Sequence, residues 1–182
     1  MQKLSDRLDR PIVLVGLMGA GKSTVGRRLA KRLGLEFVDT DAAIEDATGQ
    51  PWGELFERYG EEAYRDGERR LVARIVDGDV RVISTGGGVF VDPETRRLLN
   101  ERAITVWLDA PVDVLADRTS RRDTRPLLRN GDAKQTLEQL SREESPAYAE
   151  AHIHIKSGGG AHKEVVEAIV NAIEERLDGA GA

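Results

Sequence analysis

Short apolar runs bounded by turn residues alternate along the chain with segments whose apolar positions recur every three or four residues. This is the pattern of strands joined by crossover helices in a parallel sheet. Ile12 to Val15 reads as a buried strand ending at Gly16, and a helix opening near Lys22 sets Val25, Leu29 and Leu33 on one face before Gly34 stops it. Phe37 and Val38 form a second strand ending at Asp39, followed by helical segments over Ala42 to Thr48, Trp52 to Arg58 and Glu61 to Val76, broken by Gly49-Gln50-Pro51 and Gly60. Val80 to Ser84 is a strand running into Thr85-Gly86-Gly87-Gly88, and Ala103 to Leu108 is another. A helix follows Pro111, a residue suited to the first helical position. Asp132 to Glu150 returns to helix, His152 to Ile155 gives the last strand, and Lys163 to Leu177 is an amphipathic closing helix. The prediction is an α/β fold, a three-layer α/β/α sandwich around a five-stranded parallel sheet.

Length adds that 182 residues form one domain over 1–182, with a polar tail at 1–10 and a frayed end at 179–182. Residues 118–131 are polar, charged and interrupted by Pro126, which predicts a mobile lid. Hydrophobic content of 40% and charged content of 32% fit a soluble protein, and no run of about 18 apolar residues suggests a membrane span. The first ten residues lack the apolar core of a secretory signal, so the cytoplasm is the expected location. With no cysteine, disulfides and thiolate metal sites are excluded. A net charge of −5 and 4% aromatics argue against a nucleic-acid surface. Local charge differs: Arg118, Arg121, Arg122, Arg125 and Arg129 crowd one segment, either an exposed basic loop or one that closes over anionic phosphates.

Gly16-Leu17-Met18-Gly19-Ala20-Gly21-Lys22-Ser23 matches the phosphate-binding pattern G-x-x-x-x-G-K-[ST]. Glycines let backbone N–H groups wrap a phosphate closely, and the helix that follows adds the positive end of its dipole. Lys22 is expected to reach the β- and γ-phosphates and Ser23 to bind Mg²⁺, so Gly19, Ala20, Gly21, Lys22, Ser23 and Thr24 are the candidate ATP contacts in a P-loop NTPase fold. The loop alone does not select a reaction. The chain has little room for motor or transporter machinery, and no Asn-Lys-x-Asp guanine-reading sequence is present.

Asp39-Thr40-Asp41 falls where the second strand ends, on the sheet edge that also carries the P-loop. Two carboxylates at i and i+2 can divide their labour between a metal and an acceptor hydroxyl. The alternative is that Asp41 caps a helix beginning at Ala42. Gly86, Gly87 and Gly88 bring bare backbone to the same edge, either for a ligand or simply as a flexible loop. His152 and His154 alternate with Ile153 and Ile155 on one face of a strand and lack a third metal ligand nearby.

The run from Gly16 to Arg27, Phe37-Val38-Asp39-Thr40-Asp41, Gly60-Glu61 to Arg65 with Glu68, Gly86 to Gly88, and Arg125-Pro126-Leu127-Leu128 occur in the order and spacing of shikimate kinases, which the chain resembles over roughly Pro11 to Leu177. The resemblance implies transfer of the ATP γ-phosphoryl group to the 3-hydroxyl of shikimate, a step of aromatic amino-acid biosynthesis. It implies that Asp39 joins Ser23 in the Mg²⁺ shell, that Asp41 binds ring hydroxyls and readies the nucleophile, that Arg65 pairs with the shikimate carboxylate and that Gly86 to Gly88 contact the acceptor. Lys22, Asp41 and Arg125 become the catalytic set, with Arg125 neutralising the transferring phosphoryl. Arg118 is assigned to the adenine, with Gly158 to Ala161 as its opposite wall; Trp52, Phe56, Tyr64 and Pro126 contact the ring or pack the core. ATP and shikimate are the expected partners of a monomer. A gluconate-type kinase and a non-catalytic nucleotide-dependent regulator are the rival readings.

One position departs from the pattern. The family carries a second carboxylate-binding arginine two residues before the proline of a Pro-x-Tyr sequence, whereas Pro146-Ala147-Tyr148 is preceded there by Glu144. Arg142, two residues earlier, is rotated by about 200° on a 3.6-residue turn, so only a helix irregularity ahead of Pro146 would bring it round.

Overall fold

The structure, a computed structural model, describes residues 2–121 and 132–181. Its strands are β1 (Ile12–Val15), β2 (Glu36–Asp39), β3 (Arg81–Ser84), β4 (Ile104–Asp109) and β5 (Ile153–Lys156). The helices among the described residues are α1 (Leu4–Arg7), α2 (Lys22–Leu33), α3 (Thr40–Thr48), α4 (Trp52–Tyr59), α5 (Glu61–Val76), α6 (Pro93–Arg102), α7 (Val112–Ser120), α8 (Ala133–Tyr148) and α9 (His162–Ala180).

The strands pair in the order β2-β3-β1-β4-β5, and every pair is parallel. Helices cover both faces of the sheet, as the α/β/α prediction required; α2 packs with α9, and α5 with α6. A parallel strand covered on both faces must be apolar on both, and each residue of the central β1 is fully buried. Leu29, Leu99, Leu115, Leu137, Ile169 and Ile173 close over the sheet from the helices.

Three local details differ from the reading of the sequence. Within the segment read as a tail, α1 places Leu4, and Leu8 just after it, in the main core. Helix α6 was not expected at all, yet Asp92 caps it by accepting from the Thr95 amide (3.0 Å) and hydroxyl (2.7 Å), with Pro93 in its first turn and Leu99 fully buried. The closing helix runs on to Ala180.

Register is what positions the site. Leu14 lies opposite Ser84, and Ser84 opposite Asp39, so the carboxyl ends of β1, β3 and β2 finish side by side. From this edge spring the P-loop, the Gly86–Gly88 turn and α3.

Candidate functional site

The P-loop leaves β1 through Gly16, where an added Cβ would lie 2.6 Å from the Leu108 carbonyl of neighbouring β4. Only a residue without a side chain lets the loop turn this close to the sheet. The Ala20 amide donates to the Leu17 carbonyl (3.1 Å) within the loop, and α2 then opens at Lys22. Lys22 is buried, and its Nζ donates to the carbonyls of Gly16 (2.7 Å) and Leu17 (3.0 Å), so the ammonium is held at the lip of the loop.

Beside it the Ser23 hydroxyl donates to Oδ2 of Asp39 at 2.7 Å and lies 3.3 Å from the Ser84 hydroxyl. Asp39 Oδ1 accepts from the amides of Asp41 (2.9 Å) and Ala42 (3.3 Å). Asp39 is therefore the cap of α3, which starts at Thr40, and the capping role considered for Asp41 falls to it. Ser23 and Asp39 offer two hard oxygen donors, one charged, facing the phosphate loop. That donor set suits a small divalent cation that keeps most of its coordination for water and phosphate.

Asp41 stands in the first turn of α3, its carboxylate against the Cα of Gly86, where a side chain at position 86 would collide with it. The Gly86 amide donates to the Thr40 hydroxyl (2.9 Å) and the Thr85 hydroxyl donates to the Leu14 carbonyl (2.9 Å), tying the glycine turn to both α3 and β1. Arg65 reaches the same turn from α5. One of its nitrogens donates to Glu68 at 2.6 Å and lies 3.3 Å from the Gly87 carbonyl, while the guanidinium covers Gly88. Glu68 is buried and also accepts from the Tyr64 hydroxyl at 3.1 Å. Burial pushes its carboxyl up from the ordinary value, against the pull of Arg65 and Tyr64. The arginine is thus aimed by a carboxylate behind it, leaving its outer edge for an anion.

A cavity of about 530 Å³ runs along this edge, lined by Gly19, Gly21, Lys22, Ser23, Thr24, Asp39, Asp41, Thr85, Trp52 and Arg118 among others. Gly86 adjoins it through Asp41, and Arg65 lies farther along the same glycine turn, over Gly88. Trp52, Phe56 and Tyr64 pack edge to face or tilted with centroids 5.8–6.2 Å apart over Ile44 and Leu55, so they form a small second core, of which Trp52 also lines the cavity. At the far end Arg118 of α7 donates to the Gly19 carbonyl (3.1 Å), with His162 near it in the lining. Arg122, Arg125, Pro126 and Arg129 lie outside the described residues.

On α8, Glu144 is half-buried and accepts from the Tyr148 hydroxyl at 3.0 Å. Burial pushes its carboxyl up, while the Tyr148 hydrogen bond and the charges of Lys22 and Arg65 oppose the shift. Arg142 is exposed, and α8 continues through Pro146, so no irregularity brings Arg142 round in its place. The two histidines serve the sheet edge. His152 Nδ1 accepts from the Thr105 amide (3.2 Å), and His154 stacks on Trp107 with its Nε2 2.8 Å from Asp109.

This geometry has known counterparts. The family model described as shikimate kinase matches residues 18–174. The chain belongs to the shikimate kinase family. Among its relatives, the shikimate kinase of Caulobacter vibrioides is 52% identical over 166 residues, covering 91% of this chain and 83% of that one. The solved shikimate kinase from Acinetobacter baumannii, in complex with shikimate, superposes with a TM-score of 0.90 at 36% identity, covering 96% and 98% of the two chains. A gluconokinase from Sinorhizobium meliloti follows at a TM-score of 0.64 and 18% identity, a likeness of fold alone. The sheet edge brings Gly19, Gly21, Lys22, Ser23, Thr24, Asp39 and Asp41 into one cavity wall, with Gly86 against Asp41 and Arg65 over Gly88, whereas Phe56 and Tyr64 belong to the second core. What sequence reasoning missed is the pair Thr40 and Thr85, whose hydroxyls pin the glycine turn; a hydroxyl beside each functional Asp or Gly was the available signal.

Proposed function

We propose that this protein is an ATP-dependent kinase that phosphorylates the 3-hydroxyl of shikimate, with Ser23 and Asp39 as the residues that would hold Mg²⁺. The observation that carries this reading is the side-by-side ending of β1, β3 and β2, from which spring a phosphate cradle, the helix that bears Asp41 and the glycine turn beneath the Arg65 guanidinium. The acceptor has matching groups, an alcohol and a carboxylate on one ring. Arg65 takes the carboxylate, the bare backbone of the Gly86–Gly88 turn lies against the ring, and Asp41 accepts the proton of the attacking hydroxyl. Lys22 and the backbone of Gly19 to Ser23 hold the phosphates, and a Mg²⁺ held by Ser23 and Asp39 would supply further positive charge beside the transferring phosphoryl group. Thr24 and Arg118 complete the nucleotide side. Family resemblance alone assigns Arg125 to the transferring phosphoryl.

The protein acts as a monomer in the cytoplasm on this reading, with neither nucleic acid nor membrane as partner. The net charge of −5 and the lack of cysteine support it, and no helix among the described residues is long and apolar enough to cross a membrane. A coupled assay of ADP release tests the reaction: turnover is expected with shikimate and not with gluconate or nucleoside monophosphates. Turnover on gluconate in preference to shikimate would overturn the acceptor, and ATP binding without turnover on any of them would make the protein a regulator.

A further inference from the structure

Glu144 is a half-buried carboxylate that the phosphoryl transfer does not need, and its surroundings connect it to the acceptor's anchor. Its Oε2 accepts from the hydroxyl of Tyr148, one helical turn along α8. Tyr148 is itself fully buried, stacked between Phe90 (6.3 Å) and Trp107 (5.9 Å), so the phenol is fixed. The backbone of Gly88 lies against that phenol oxygen, and the same glycine underlies the Arg65 guanidinium, where a Cβ would come within 2.6 Å of an Arg65 nitrogen. Arg65, Gly88, Tyr148 and Glu144 thus form one contiguous cluster drawn from α5, the glycine turn and α8. Among the described residues, the charged and titratable groups that act most on Glu144 are Tyr148 and Glu143 from its own helix, Lys22 from α2 and Arg65 from α5.

We infer that Glu144 sets acceptor affinity: the substrate carboxylate competes with it for the positive field of Arg65, and binding of the acceptor places a proton from solvent on Glu144. The inference rests on the shikimate reading above. The charges of Arg65 and Lys22 favour the ionised form of Glu144, against the burial that pushes its carboxyl up. An arriving carboxylate spends the Arg65 charge and adds a like charge nearby, and both changes favour the neutral acid. The protonated carboxyl keeps the Tyr148 hydrogen bond on one oxygen and carries its proton on the other. Because the complex binds more protons than the free protein, acceptor affinity falls as pH rises through the titration of Glu144, by at most about tenfold per pH unit for one coupled proton.

Calorimetry of shikimate binding in two buffers of different ionisation enthalpy counts the protons taken up, and steady-state KM across about pH 5.5 to 9 reads the linkage. In the unaltered protein proton uptake is expected, with a shikimate KM that rises with pH while the ATP KM does not follow it. Glu144→Gln retains an acceptor for Tyr148 and removes the charge, so it should lower the shikimate KM and flatten its pH dependence. Tyr148→Phe removes the hydrogen bond and leaves Glu144 in place, and should move the pH-dependent region upward. Equal proton uptake and an unchanged pH profile in Glu144→Gln would overturn the inference, as would a higher KM with the profile intact. Failure of the unaltered protein to use shikimate at all would instead overturn the acceptor assignment.

Discussion

Replacing Gly88 with alanine tests how Arg65 is held. Gly88 sits at φ +89°, in the left-handed region, so any Cβ there costs about 1–2 kcal/mol of backbone strain. The new methyl would also lie 2.6 Å from one Arg65 nitrogen and 3.0 Å from the guanidinium carbon, well inside contact distance. Backbone at position 88 is fixed by the amides of Val91 and Asp92, which donate to its carbonyl at 3.2 and 3.4 Å, so the arginine is what gives way. A guanidinium displaced from its bond to Glu68 loses a charge-assisted contact with the acceptor carboxylate, a loss of about 1.5–3 kcal/mol. At 1.4 kcal/mol per tenfold, the shikimate KM should rise by roughly 10- to 150-fold. The ATP KM should change by no more than about twofold, since additivity holds for sites without shared partners. Strain alone lowers Tm by about 2–8 °C in a chain of this size. Gly49→Ala separates the two effects, because Gly49 has φ +71° with open space around its Cα. It should lower Tm comparably and leave the shikimate KM alone. If both variants lose the same stability and both keep the wild-type shikimate KM, Gly88 is not what lets Arg65 into place.

Other substitutions divide the site by role. Asp41→Asn should reduce turnover by about 10²- to 10⁴-fold with nucleotide binding retained, as removal of a general base predicts; binding of a fluorescent ATP analogue alongside kcat checks this, and a variant with near-normal kcat would exclude the base. Arg65→Ala should act on the shikimate KM and Arg125→Ala on kcat more than on ATP affinity, both read in the coupled assay; the reverse pattern would exchange their roles. Asp39→Asn leaves an oxygen to cap α3, so Tm should fall by only a few degrees, whereas the Mg²⁺ concentration for half-maximal rate should rise severalfold. A magnesium titration identical to that of the unaltered protein would remove Asp39 from the metal site.

The parts of the site that could be read along the chain are those encoded within a few consecutive residues. Gly16 to Ser23 carries its own chemistry in its spacing, and the strand before it and the helix after it fix where the loop sits. The course of β3 into Gly86 was similarly plain because an apolar run ended at glycines. Helix α6 escaped notice because its buried residue, Leu99, is surrounded by charged positions, and only the Asp92-Pro93-x-Thr95 start marks it. Leu4 and Leu8 are four apart, but one helical turn is too short to show a period. The capping of α3 turned on a shift of two residues between Asp39 and Asp41, within the range over which helix ends are hard to place. That Tyr148 and Glu144 lie on the inward side of α8 while Arg142 is exposed depends on the roll of the helix, set by Tyr148 wedged between aromatic residues from distant parts of the chain. No local pattern encodes such an angle.

Asp39 divides its two oxygens between a helix start and a hydroxyl on the phosphate loop. One side chain therefore serves both as a fold-forming bracket for α3 and as a spacer that fixes how far the acceptor's helix stands from the nucleotide's. Lengthening it to glutamate would keep the charge and still alter that distance, so charge and reach at this position can be varied one at a time, and the tolerance of the reaction to separation of its two substrates becomes something that can be measured.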